Sequence, residues 1–77
     1  MHVGLEEAAR QLEQAIHDAR VSFDCIALGN LDRAHTHAIT ARAAVDAAEN
    51  AIRVALDARR SEEDTGQSEE SAEDSPS

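Results

Sequence analysis

Apolar residues recur at Leu5, Ala9, Leu12, Ile16, Ala19, Phe23 and Ile26, with spacings of 4-3-4-3-4-3. A second run, Leu31, Ala34, Ala38, Ala41, Val45, Ala48, Ile52 and Ala55, is spaced 3-4-3-4-3-4-3. Such spacing holds side chains on one face of a helix and marks a heptad seam with apolar residues at a and d. Ala, Leu, Arg, Glu and Gln fill both stretches, and no Pro interrupts them. The pattern predicts helix 1 over about 4–28 and helix 2 over about 31–60, with a turn at 28–30. Gly29 suits the left-handed residue that ends a helix, and Asn30 can cap the next one with Asp32 near its positive end. The two registers do not continue into each other, because Ile26 calls for an a residue at 30 and the second seam starts at 31. A hairpin resets that skip without strain.

Folding the chain back at 28–30 pairs the seams in layers: Ile26 with Leu31, Phe23 with Ala34, Ala19 with Ala38, Ile16 with Ala41, Leu12 with Val45, Ala9 with Ala48, Leu5 with Ile52. Large residues then meet small ones, as close packing requires. Glu13 would face Arg42 across one flank. The expected fold is all-α, an antiparallel two-helix hairpin with an Ala-rich seam over residues 1–60. A second stripe on helix 2, Thr40, Ala44, Ala47, Ala51, Val54 and Ala58, runs beside the first, whereas the matching stripe of helix 1 (Gln11, Ala15, Asp18, Ser22, Cys25) is polar. A helix with two adjacent small-apolar stripes wants two neighbours. This second stripe is therefore the expected oligomer or partner interface, completing a four-helix bundle with a second copy or with another helical subunit.

Charge divides the chain. Of its 16 acids, seven fall in residues 61–77 with no base, so that segment carries −7 of the net −9. It reads as a disordered acidic tail. The first sixty residues, at −2, make neither a basic nucleic-acid module nor an anionic-membrane binder. No apolar run approaches the roughly 20 residues needed to span a bilayer, and the start lacks a signal-peptide pattern. A cytoplasmic location is expected, or a virion-associated one if the source is viral. One Cys makes no internal disulfide, and a single Phe without Tyr or Trp leaves no base-stacking platform.

Candidate chemistry is sparse. His35 and His37 point roughly 200° apart on a helix and cannot chelate one ion. Asp32 with His35, and Glu13 with His17, have ligand-capable spacing but stand outside the seam, where solvated side chains are expected. Cys25, near the end of helix 1, is a poor nucleophile, since a helix C-terminus disfavours a thiolate. Ser22, Asp24 and His35 or His37 lack any elbow or oxyanion-hole sequence around them. No catalytic residue, cofactor, metal or small molecule is called for.

Leu5-Glu6-Glu7-Ala8-Ala9-Arg10-Gln11-Leu12-Glu13-Gln14-Ala15-Ile16 resembles the first helix of the small subunit of exodeoxyribonuclease VII. Val45-Asp46-Ala47-Ala48-Glu49-Asn50-Ala51-Ile52 is similar to that family's closing helix motif. The resemblance implies a non-catalytic helical partner that coats a large nuclease subunit, with the break between helices at about 21–23. The primary expectation from the residues is a self-associating accessory, regulatory or structural protein without enzymatic activity. The acidic tail and helix faces also fit an inhibitor that mimics nucleic-acid charge.

Overall fold

The computed structural model describes residues 3–70, with side chains described over 4–64. It consists of α1 (Val3–Ala27) and α2 (Leu31–Glu70), packed as an antiparallel hairpin. The molecule is a rod of 63 × 26 × 13 Å. Its length is set by α2, whose 40 residues at about 1.5 Å each span some 60 Å.

The connection lies where the glycine predicts it, at 28–30, and α1 runs unbroken through 21–23, where the nuclease-subunit resemblance would break it. Asn30 N donates to Cys25 O at 2.8 Å and Gly29 N donates to Ile26 O at 3.0 Å. That pair of bonds is the Schellman ending of a helix, which needs a left-handed residue, and Gly29 supplies it at φ 77°. Asn30 then opens α2. Its side-chain Oδ1 accepts from Arg33 N at 3.2 Å, and its carbonyl accepts from Ala34 N at 3.0 Å. One residue ends the first helix and the next starts the second.

The hairpin seam lies one stripe away from the expected one. On α1 the buried residues are Ala8, Ala15, Asp18, Ser22 and Cys25, with Gly4 and Gln11 half-buried between them. On α2 they are Ala34, Ala44 and Ala48, with His37, Ala41, Ala51 and Ala55 half-buried. Leu5, Leu12, Ile16, Phe23 and Ile26, expected inside, are exposed, as are Leu31, Val45 and Ile52 across from them. Ala9, Ala19 and Ala38 are exposed as well. The register follows. Ser22 meets Ala34 and Asp18 meets His37, one or two positions off the expected layers.

The physical reason is backbone approach. Two helices with Gly, Ala, Ser and Cys at the contact come closer than two with Leu and Phe there, and gain dispersion along the whole length. Ala44 and Ala51, expected at an outer interface, are consumed by this seam.

The second difference is the length of α2. Helix was expected to stop at about 60, but it continues to Glu70. Ser61, Glu62, Glu63 and Asp64 contain no breaker, and Gly66 costs a helix only about 1 kcal/mol relative to Ala. The expected tail thus contributes ten helical residues, and 71–77 lie outside the described residues. With α1 starting at Val3 across from about Ile52, everything in α2 beyond Leu56 projects past its partner.

Candidate functional site: an apolar face beside a polar seam

Inside the seam, α1 and α2 meet through a short polar layer. Ser22 Oγ donates to the Ala34 carbonyl at 2.7 Å, tying a side chain of one helix to the backbone of the other. One turn along, the Asp18 carboxylate, 4% exposed, receives the Gln14 amide on Oδ2 at 2.8 Å and His37 Nδ1 on Oδ1 at 3.0 Å. The Gln14 amide, and after it His37, hold the Asp18 carboxyl below the usual carboxylate range against the opposing effect of burial. Glu7 is held low in the same way, first by the Gln11 amide at 2.8 Å and then by Arg10 at 2.6 Å. Among the described residues no buried side-chain nitrogen or oxygen lacks a partner. The layer is closed.

The other candidate chemistry is dispersed. Glu13, His17, Asp32 and His35 are exposed, and no three His, Cys, Asp or Glu side chains among the described residues gather as a metal cluster would need. Ser22 and His37 are engaged with Ala34 and Asp18, and Asp24 is exposed. Cys25 sits within the seam as a buried free thiol, where it packs as a small residue. Among the described residues no helix is long and apolar enough to cross a membrane.

The displaced large residues gather on one side of the hairpin. On α1 the positions just beyond the seam are Leu5, Leu12, Ala19 and Ile26, followed around the helix by Ala9, Ile16 and Phe23. On α2 they are Leu31, Ala38, Val45 and Ile52, continued by Leu56. Antiparallel packing brings these two flanks to the same face, and a groove lined by Leu12, Val45, Ala48, Ile52 and Leu56 confirms it. Leu5 joins Ile52, Ala55 and Leu56 along the next stretch of the groove. Phe23 is 72% exposed, Ile26 58% and Ile16 56%. Together these exposed side chains leave a run of large apolar residues along one side of the hairpin, a kind of surface that soluble monomers seldom leave contiguous.

The opposite flank is different. It carries Glu7, Gln14 and Val21 from α1, with Arg33, Thr40, Ala47 and Val54 from α2. Thr40, Ala47, Val54 and Ala58 are exposed, as the expected interface requires, but Ala44 and Ala51 between them are turned into the seam. Sequence reasoning found the large apolar stripe and placed it in the seam, whereas it lies exposed beside it. The facing polar triplet, Asp18, Ser22 and His37, was the signal that could have corrected the register. The chain matches no protein-family model, and no curated protein or solved structure shows significant similarity to it.

Proposed function

We propose that this chain is a non-enzymatic helical interaction protein, an accessory, regulatory or structural subunit whose hairpin completes a four-helix bundle with another helical pair. One observation carries the reading: the large apolar residues lie outside the seam, along one flank of the hairpin, while the seam between its own helices is already filled. Burying that face would remove large apolar side chains from water, each worth about 1.5–3 kcal/mol if fully buried, before the costs of association. Alanine in the seam contributes far less.

Sedimentation over a wide concentration range tests the reading, with Ile16→Glu as the disrupting variant. Ile16 makes little of the seam, so the substitution should leave helicity in place and abolish association with a second copy or with a helical protein partner. A wild-type chain that remains a folded 8.3 kDa monomer, takes no helical partner and is indifferent to Ile16→Glu would remove the proposal.

A further inference from the structure

The seam of the hairpin has an unused twin beside it. Buried and half-buried positions run 4-8-11-15-18-22-25 on α1 and 34-37-41-44-48-51-55 on α2. The bonds from Ser22 to Ala34 and between Asp18 and His37 fix how they pair. Counting along the antiparallel helices from those two bonds, Ser22 lies by Ala34, Ala15 by Ala41 and Ala8 by Ala48. Between these layers come Asp18 with His37, Gln11 with Ala44 and Gly4 with Ala51.

Successive residues of a helix stand 100° apart, and turning each helix by half of that, about 50°, keeps the first set of layers and exchanges the second. Asp18 and His37, Gln11 and Ala44, and Gly4 and Ala51 leave on one edge. Ala19 with Ala38, Leu12 with Val45 and Leu5 with Ile52 enter from the other. Neither helix slides along its axis. The incoming residues already border that edge, since Leu12, Val45 and Ile52 line one groove and Leu5 and Ile52 the next.

Apolar burial does not hold the helices in the observed register, because the turned one takes Leu5, Leu12, Val45 and Ile52 out of water. Close backbone approach at the shared small layers is available to both. The difference is Asp18. Only the observed register gives its carboxylate, 4% exposed, a bond from His37 across the seam beside that from Gln14. A buried polar contact that fixes one register among apolar alternatives, at some cost in stability, is the best-attested structural use of such groups.

We propose that the layer of Asp18 and His37 is a rotational lock. Engaged, it holds the hairpin in the register that exposes Leu5, Leu12, Val45 and Ile52. Released, it lets the helices turn to the register that buries them. The rotation is a property of the single chain and needs no partner.

Cys25 reports which register is occupied. It is a buried free thiol one heptad from Asp18, on the edge that leaves the seam. Asp18→Ala removes the lock and keeps the position small. Labelling of Cys25 by an aromatic disulfide reagent should then run about tenfold faster than in wild type, with helical circular dichroism retained. A merely loosened seam would expose the thiol as well, and a second substitution separates the two. Leu12→Gln, added to Asp18→Ala, penalises only the turned register, so it should return labelling to the wild-type rate. In a loosened hairpin the fast rate would persist. A rate unchanged by Asp18→Ala overturns the lock, and so does a fast rate that Leu12→Gln fails to reverse. Sedimentation of wild type tests the interaction reading separately, since association with a copy or a helical partner does not depend on the rate at Cys25.

Discussion

The two sides of α1 follow opposite rules. Its inner side is small and partly polar, and buries Ala8, Ala15, Asp18, Ser22 and Cys25 against α2. Its outer side holds Leu5, Leu12, Ile16, Phe23 and Ile26, all exposed. In most soluble helices the large apolar residues define the inside. Here the small ones do, because the pairing of α1 with α2 depends on how closely the backbones approach, and the large residues are left exposed on the other side. Size, then, separates the residues that join the two helices from those left on the surface of the hairpin.

The sharpest way to break this contrast is to enlarge the inner side. Ala48 is 1% exposed, and Ala48→Leu should overpack the seam at a cost of about 2–3 kcal/mol. For a domain of this size each kcal/mol is worth about 4–8 °C, so the thermal midpoint should fall by well over 8 °C. A variant that melts like wild type would show that the seam is not close-packed.

A smaller effect is expected at the polar layer. Asp18→Asn keeps the shape but weakens the bonds from Gln14 and His37, and should lower the midpoint by less than Ala48→Leu does. Its pH dependence is distinctive. Because the folded carboxyl is held below its ordinary value, its stabilisation is present above about pH 4, the unfolded value, and disappears as pH falls through the lower folded value. Glu7 contributes with the same sign. Melting of wild type and Asp18→Asn from pH 7 down to pH 2 should therefore show two curves that converge in acid, and curves that stay parallel would sever the layer from stability.

Phe23→Ser probes the outer side. Within one hairpin it should cost about 0.5 kcal/mol or less, as surface substitutions do. Association should weaken by tenfold or more, about 1.4 kcal/mol, since a buried aromatic anchor is lost. Equal effects on folding and on association would erase the distinction between the two sides. The smallest effect belongs to the extension. Deleting 61–77 should leave the midpoint within about a degree, because Glu62, Glu63 and Asp64 are exposed beyond the end of α1. The circular dichroism signal should nevertheless drop by some ten helical residues, which a disordered tail would not produce.

Local features were legible from the residues alone. Gly29 and Asn30 locate the turn to the residue, because only a left-handed position and a side-chain cap satisfy the orphan groups of two helices that meet so abruptly. The rotation of each helix was not legible. A 4-3-4-3 spacing of large residues says that they share a face, but not which molecule that face meets. Gln11, Ala15, Asp18, Ser22 and Cys25 looked like a discarded stripe because two of them are polar, yet their bonds across the seam satisfy that polarity. The extent of α2 was hidden for a different reason. Ser, Glu and Asp after Arg60 have no apolar periodicity, but a helix already about eight turns long needs only the absence of a breaker to continue.

Because Gly29 carries the left-handed backbone of the turn, the topology of the hairpin leans on one φ angle. Nothing lies within 4 Å of where a Cβ would stand, so alanine there would clash with no neighbour and cost only the conformational penalty of about 1–2 kcal/mol. A different state escapes that penalty: α1 and α2 joined through 28–30 as one unbroken rod. In that state the bonds from Ser22 to Ala34 and from Asp18 to His37 form between molecules, with each rod lending an arm to its neighbour. The closed hairpin and the exchanged pair contain the same contacts and differ chiefly at the hinge. Gly29→Ala should therefore lower the protein concentration at which arm-exchanged pairs form, which sedimentation of the variant beside wild type would read.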